Sequence, residues 1–168
     1  GVPGADQFDT PKGALASIFS PIFFETDQHT IKGREYMDAI HKMAAHLKAH
    51  KNTYVIIEGY CDERGPEAYN LALGTRRANT IRALLIKDGV SPDQLHTISF
   101  GKEKPFAAGH TPDAWAQNRR AHFRVHAQRW KNGFSYDIYE TKKHSLTEKQ
   151  KKRQHPTAFP NDVRNTFP

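Results

Sequence analysis

Residues Thr53–Tyr60 read TYVIIEGY, and residues 61–78 continue CDERGPEAYNLALGTRRA. The first run sets four apolar residues in a row with β-branched and aromatic density, the pattern of a strand buried on both faces. Pro66 suits the first turn of a helix, where its missing N–H costs nothing. Beyond it Tyr69, Ala78, Ile81, Leu84 and Leu85 form a packing side, and Asp88-Gly89 supplies the stop, with Gly in the position after the cap. An acid, Asp62, therefore sits just past the end of a central strand, and Arg77 sits about three turns into the following helix.

The flanks complete an alternating pattern. SIFSPIFF, residues 17–24, reads as a strand ending near Phe24 and interrupted by Pro21. From Lys32 to His50, Met37, Ile40, Ala44 and Leu47 recur at three- and four-residue steps, which predicts an amphipathic helix broken by Asn52. Downstream, SPDQL is a turn and HTISFG a strand. TPDAWAQN has a Thr N-cap and Pro at the first helical position. RRAHFRVHA alternates Ala121, Phe123 and Val125 with polar residues, a half-exposed strand. The order β-α-β-α-β-α-β predicts an α/β two-layer sandwich: a four-stranded mixed sheet with helices on one face, around a β-α-β-α-β core. Residues 1–13 read as a flexible leader, 14–128 as the domain, and 129–168 as a basic, disordered or partly helical tail.

Composition narrows the function. The mean hydropathy is −0.76, and no apolar run approaches the ~18–20 residues of a membrane span. One cysteine, Cys61, excludes an internal disulfide and a multi-cysteine zinc site. The formal charge is +7, but residues 129–168 carry nine Lys/Arg against four Asp/Glu, so +5 of it belongs to the tail and +2 to residues 1–128. A nearly neutral globular part argues against nucleic acid, as does the lack of aromatic-basic interleaving.

On the helix, Asn70, Gly74 and Arg77 fall at i, i+4 and i+7 and share one side. Gly74 adds no side chain between two polar residues, leaving a gap for a ligand. Asp62 is an acceptor and Arg77 a planar fork of donors. The set matches a zwitterion, with an ammonium on Asp62 and a carboxylate taking two parallel bonds from Arg77. The same spacing also suits a plain Asp–Arg structural ion pair.

The run EGYCDERG…YNLALGTRRAN, then GKEKP and QNRRAHFRV, resembles the OmpA C-terminal-like domain family, in its lipoprotein branch. The similarity spans roughly Ile18 to Ala127. It implies the same core fold and a non-enzymatic function: non-covalent binding of peptidoglycan through the meso-diaminopimelate of its stem peptide, tethering the outer membrane to the wall. The family's ligand positions fall on Asp62, Arg77, Asn70 and Arg119, and the FETD loop after the first strand adds Asp27. The resemblance further implies an N-terminal lipid upstream of this chain, periplasmic placement at the outer membrane, and Tol-system partners such as TolB. No cofactor or metal is implied. Where the family usually has G-H-[TA]-D, this chain has Gly59-Tyr60-Cys61-Asp62. That departure feeds a rival reading, a scaffold that has lost wall binding and acts on protein partners through its basic tail.

Other signals carry less. His46 and His50, and His122 and His126, share faces pairwise, but lack the Glu of H-E-x-x-H and a third ligand. Solvated or hydrogen-bonded histidines are the expectation. Cys61 has no base in sequence and an acid beside it, which disfavours a nucleophilic thiolate. Arg76 is expected to pair with Glu63 or Glu67, Arg120 to be structural, and Trp115 to be a packing anchor. The tail reads as a solvated extension, an electrostatic tether to anionic envelope material, or a docking segment through Phe159-Pro160 and Phe167-Pro168.

Overall fold

The computed structural model describes residues 1–127; the tail, and every expectation made for it, lies outside the described residues. Four strands, β1 (Ile22–Phe23), β2 (Tyr54–Tyr60), β3 (Leu95–Gly101) and β4 (Arg120–His126), form one sheet in the order β1-β4-β2-β3. β2 runs parallel to β3 and antiparallel to β4, and β1 is antiparallel to β4, so the sheet is mixed as anticipated. The long helices α2 (Arg34–Ala49) and α3 (Glu67–Lys87) cover one face, with a short α1 (Ala14–Ile18) beside α2 and a short α4 (Pro112–Asn118) leading into β4.

The core lies between that face and the helices. Val55, Ile57, Ala121, Phe123 and Val125 point into it from the strands, and Ile40, Leu47, Ala78, Ile81 and Leu85 meet them from α2 and α3. Each fully buried aliphatic side chain contributes about 1.5–3 kcal/mol, so these interleaved stripes set the register. Thr111 caps α4 as anticipated, its hydroxyl accepting from the Ala114 N–H at 3.3 Å. Gly89, at φ 98°, follows α3 where the stop was read.

Two expectations change. The strand expected over 17–24 shrinks to Ile22–Phe23, because Leu15 and Ile18 fall three apart and bury as the packing side of α1. Pro21 keeps ladder pairing to the residues after it. The leader is not loose from Ala5 to Asp9. Phe8 is buried, Asp9 exchanges two backbone hydrogen bonds with Val125, and Arg124 Nη2 donates to the carbonyls of Ala5 and Phe8. This segment covers part of the sheet's second face, so β2 is largely enclosed on both sides, as its sequence implied.

Helix α3 crosses β2 at unusually close range. A Cβ on Gly59 would lie 1.8 Å from the Gly74 carbonyl oxygen, and one on Gly74 would lie 2.2 Å from Ser99 Oγ. Gly74 is therefore required by the contact between helix and sheet. It does not open a ligand gap, which corrects the sequence expectation: the position turns toward β2 and β3, away from the polar residues on either side of it. Gly59→Ala is expected to lower stability by about 1–3 kcal/mol through overpacking, read as a shifted urea midpoint. An unchanged midpoint would refute the close approach.

Candidate functional site

The close packing of α3 on β2 leaves a cleft where β2 ends. Its walls are the turn Cys61–Pro66, the loop after β1 containing Thr26 and Asp27, and the exposed side of the first turns of α3. The cleft holds about 390 Å³, and Asp62, Arg64, Tyr69, Asn70 and Arg77 are among the polar residues that line it. Four of the six anticipated residues thus border one cavity: Asp62, Arg77, Asn70 and Asp27. Arg119 stands just behind Asp62, its Nη1 3.5 Å from the carboxylate. Gly74 is absent from the lining.

Arg77 is fully buried. Its Nε donates to the Gln28 carbonyl at 2.8 Å, Nη1 to the Tyr60 carbonyl at 2.8 Å and to Cys61 Sγ at 3.5 Å, and Nη2 to the Glu25 carbonyl at 3.1 Å. The guanidinium also lies over the Phe24 ring, 5.2 Å from its centroid. Of the five N–H groups of a guanidinium, one on Nη2 has no acceptor among these bonds. The two-bond fork anticipated from the sequence is therefore not available in this arrangement. Burial pulls the Arg77 pKa down, and the nearby Asp62 works in the opposite direction. The side chain remains a cation, because arginine does not deprotonate in proteins.

Asp62 does not pair with Arg77. Its carboxylate takes the Arg64 backbone N–H at 3.0 Å, Arg64 Nε at 3.1 Å and Arg64 Nη2 at 2.9 Å. Burial would raise its pKa, but the bonds from Arg64, helped by Arg119, hold it below the ordinary 3.8. Asp62 is only 6% exposed, whereas the Arg64 side chain is 42% exposed. Arg64 therefore sits at the mouth, reaching Thr26 Oγ1 at 3.3 Å and lying 4.2 Å from the Trp115 ring centroid.

Arg64 was missed by the sequence reading, although D-E-R-G contains it. Aspartate commonly accepts from a backbone N–H two residues on, and that local habit was the available signal. Asn70 faces the cleft but uses Nδ2 on the carbonyls of Arg64 (2.7 Å) and Gly65 (3.4 Å), so it pins the turn that carries the charges. Tyr69, expected on the packing side, is 45% exposed instead and donates its hydroxyl to Asp27 at 3.1 Å. Asp27 itself adopts φ 58°, which is uncommon for a residue with a side chain but several-fold enriched in aspartate.

The remaining expectations resolve individually. Trp115 does more than pack: its Nε1 donates to Glu63 at 2.8 Å, and Glu63 also pairs with His110. Those two bonds lower the Glu63 pKa. Glu63 thus anchors the tryptophan on which Arg64 rests, rather than Arg76. Arg120 lies over Phe106 and Phe23, 4.1 and 4.9 Å from their centroids, a structural role as expected. His46 and His50 stack at 4.2 Å, and His126 Nδ1 meets the Gln7 carbonyl. Cys61 is buried, its thiol bonded to the Asn70 carbonyl at 3.2 Å, and burial raises its pKa. Tyr60 points to the opposite face of the sheet, stacked 5.3 Å from Phe100.

Two outcomes follow, one from Arg77 and one from Asp62. Arg77→Met is expected to cost about 3–5 kcal/mol in urea unfolding, because it removes the buried donor that joins three carbonyls of the cleft floor. A loss below ~1 kcal/mol would contradict this role. Asp62 supplies the pH test. Its pKa is depressed on folding, so its contribution is complete above the ordinary 3.8 and disappears as pH falls through the lower folded value. Wild type should therefore lose more stability than Asp62→Asn as pH is lowered below 3.8; parallel losses would contradict the shift.

Three comparisons bear on this geometry. The OmpA family model matches residues 23–119. The peptidoglycan-associated lipoprotein of Pseudomonas aeruginosa is 45% identical over 109 residues, covering 65% of this chain and 63% of that protein. Its counterpart in Pseudomonas putida is 44% identical over 121 residues, 72% of each chain. The chain thus spans roughly two thirds of these relatives. Among solved structures, the peptidoglycan-associated lipoprotein from Burkholderia pseudomallei superimposes with a TM-score of 0.64 at 39% identity, covering 68% of this chain and 95% of that one. The C-terminal domain of Helicobacter pylori MotB shares the fold, with a TM-score of 0.63 at 22% identity over 76% of this chain and 98% of that one. By the match over the strands and helices that build the cleft, this chain belongs to the OmpA family.

Proposed function

We propose that the protein binds peptidoglycan non-covalently and holds it through the free amino-acid end of a meso-diaminopimelate residue. The observation that carries this reading is the pairing of a nearly buried carboxylate, Asp62, with an accessible guanidinium, Arg64, inside one open cleft of about 390 Å³. A two-ended ligand can take both partners. Its ammonium replaces Arg64 on Asp62, and its carboxylate meets the displaced Arg64 and the remaining N–H of Arg77. Each exchange swaps one charge-assisted bond for another, so the cost of opening the internal pair is largely recovered. Tyr69 and Asp27 border the same opening and suit the amide backbone beside the captured group. The names of the relatives, peptidoglycan-associated lipoproteins, point to the same polymer.

The reading extends to cellular role. A lipid-anchored, periplasmic domain that grips the wall tethers the outer membrane to it, and Tol-system proteins such as TolB are the partners proposed for it. The unusual Tyr60-Cys61 pair does not count strongly against binding. Tyr60 faces the other side of the sheet, and Cys61 is a buried thiol bonded to the backbone. The rival scaffold reading therefore loses the feature that prompted it. The site is a binding site and needs no catalytic group.

Lysine lacks the second carboxylate of diaminopimelate and would leave the displaced Arg64 without a partner, a loss of about 1.5–3 kcal/mol for a bond to a charged group. Asp62→Asn is expected to remove the protein from the pellet in pull-downs with diaminopimelate-type sacculi, while still unfolding in one cooperative transition at neutral pH, at a midpoint lowered by the missing Asp62 contribution. Arg64→Gln should bind diaminopimelate-type and lysine-type sacculi alike. Full retention by Asp62→Asn, or undiminished discrimination by Arg64→Gln, would overturn the proposal.

A further inference from the structure

The leader crosses the second face of the sheet and is fastened there at few points. Phe8 is buried, Asp9 pairs with Val125 on the β1 side of β4, and His126 Nδ1 meets the Gln7 carbonyl. Arg124 adds a side-chain tie, its Nη2 donating to the Ala5 carbonyl at 3.0 Å and to the Phe8 carbonyl at 2.7 Å. Between leader and sheet lies a hollow of about 300 Å³, bordered by Phe8, Ile56 and Phe100 and by the polar Glu58, His96 and Arg124. Closure leaves its polar groups poorly served. Glu58 is 3% exposed, yet its carboxylate receives one bond, from the Tyr60 hydroxyl at 3.3 Å, and Arg124 Nη1 stops at 3.8 Å, beyond hydrogen-bond reach. His96 Nε2 is buried with no partner among the described residues. Burial pushes the Glu58 carboxyl above its ordinary 4.5, although Arg124, Tyr60 and Lys104 pull the other way. One guanidinium therefore has two seats within reach, the leader's carbonyls and the carboxylate.

We propose that residues 1–9 are a strap that opens and closes over the second face of the sheet, with Arg124 as its latch: closed, Arg124 holds the Ala5 and Phe8 carbonyls, and open, it settles on Glu58. Opening breaks the Asp9–Val125 pair, lifts Phe8 from its slot and lets water reach Glu58 and His96. Arg124 then closes its 3.8 Å gap and donates a charge-assisted bond to the carboxylate. Ionised Glu58 favours the open state and protonated Glu58 the closed one, so opening increases as pH rises through the raised Glu58 value. The surrounding groups leave that sign in place. Arg124, Arg120 and Lys104 stay cationic, and burial, then Glu58, raises the Tyr60 pKa. His122, opposite Glu58 on β4, is held neutral, because burial, then Arg120 and Arg124, pull its pKa below 6.5. His96 on β3 and the leader's exposed Asp6 and Asp9 are common to wild type and a Glu58→Gln control. Release frees roughly 30 Å of extended chain on the N-terminal side of the domain. The latch does not depend on wall binding; under the proposed function, the released length is slack in the tether.

Hydrogen-exchange protection factors, corrected for the pH dependence of the intrinsic rate, read the strap at the Asp9 and Val125 amides, which bond each other's carbonyls. From pH 4.5, the ordinary carboxylate value, to neutral pH, wild type is expected to lose about tenfold protection at these two amides, the change linked to a pKa displaced by one unit. The β2–β4 ladder around Ile57 and Phe123 should keep its protection. Glu58→Gln, which keeps the acceptor for Tyr60 and removes the charge, should hold the strap closed at both pH values. Arg124→Met should lose strap protection at both, with the ladder intact. A wild type whose strap protection does not change with pH, an equal fall in Glu58→Gln, or full protection in Arg124→Met would overturn the latch. So would an equal loss at Ile57 and Phe123, because the strap would then open only with the whole domain.

Discussion

The buried guanidinium of Arg77 ties together parts of the chain that are distant in sequence. It donates to the carbonyl of Tyr60 at the end of β2 and to those of Glu25 and Gln28 in the loop after β1. Without it the buried Tyr60 carbonyl would lose this donor, at about 1–3 kcal/mol, and the loop carbonyls of Glu25 and Gln28 would lose their tie to α3. Among the described residues, no carboxylate is hydrogen-bonded to the cation. Its compensation comes from oriented backbone dipoles and the Phe24 ring, while Asp62 acts from a distance. Cleft floor and fold are thus one object, since the residue that sets the floor also fixes the first loop to the central strand.

That arrangement divides labour among the charges. Arg77 shapes the cavity, Asn70 pins the turn, and Asp62 with Arg64 meets what enters. Arg64 lies across Asp62 and leans on Trp115, which Glu63 holds in place. An internal pair of this kind keeps Asp62 satisfied while the cleft is empty. A buried carboxylate with no partner would be costly, and a partner on a side chain that is 42% exposed is one that a ligand can reach and displace.

Much of the fold was legible because hydrophobic period is a local signal. TYVIIEGY and the alternation of Ala121, Phe123 and Val125 marked strands, and Pro66, Gly89 and Thr111 marked helix ends. SIFSPIFF misled because its β-branched and aromatic content fits a strand, while Leu15 and Ile18 bury together only in a helix. The leader misled because Gly and Pro report turns and say nothing of a Phe8 that finds a slot on the sheet. In the site, spacing brought Asn70 and Arg77 to one side of a helix correctly. It could not show that backbone carbonyls, rather than a ligand, take the arginine's donors. Gly74 was recognised as unusual, but the direction it faces depends on how α3 crosses β2, which no local pattern contains.

The most direct test of this account is a crystal structure of the protein with meso-diaminopimelate bound. It should show the ligand ammonium at hydrogen-bonding distance from Asp62, about 2.7–3.0 Å, and Arg64 moved from Asp62 to the ligand carboxylate. Arg77 should keep its bonds to the Tyr60, Glu25 and Gln28 carbonyls. An Arg77 turned out of the floor to grip the carboxylate with two N–H groups, with Arg64 still on Asp62, would contradict it.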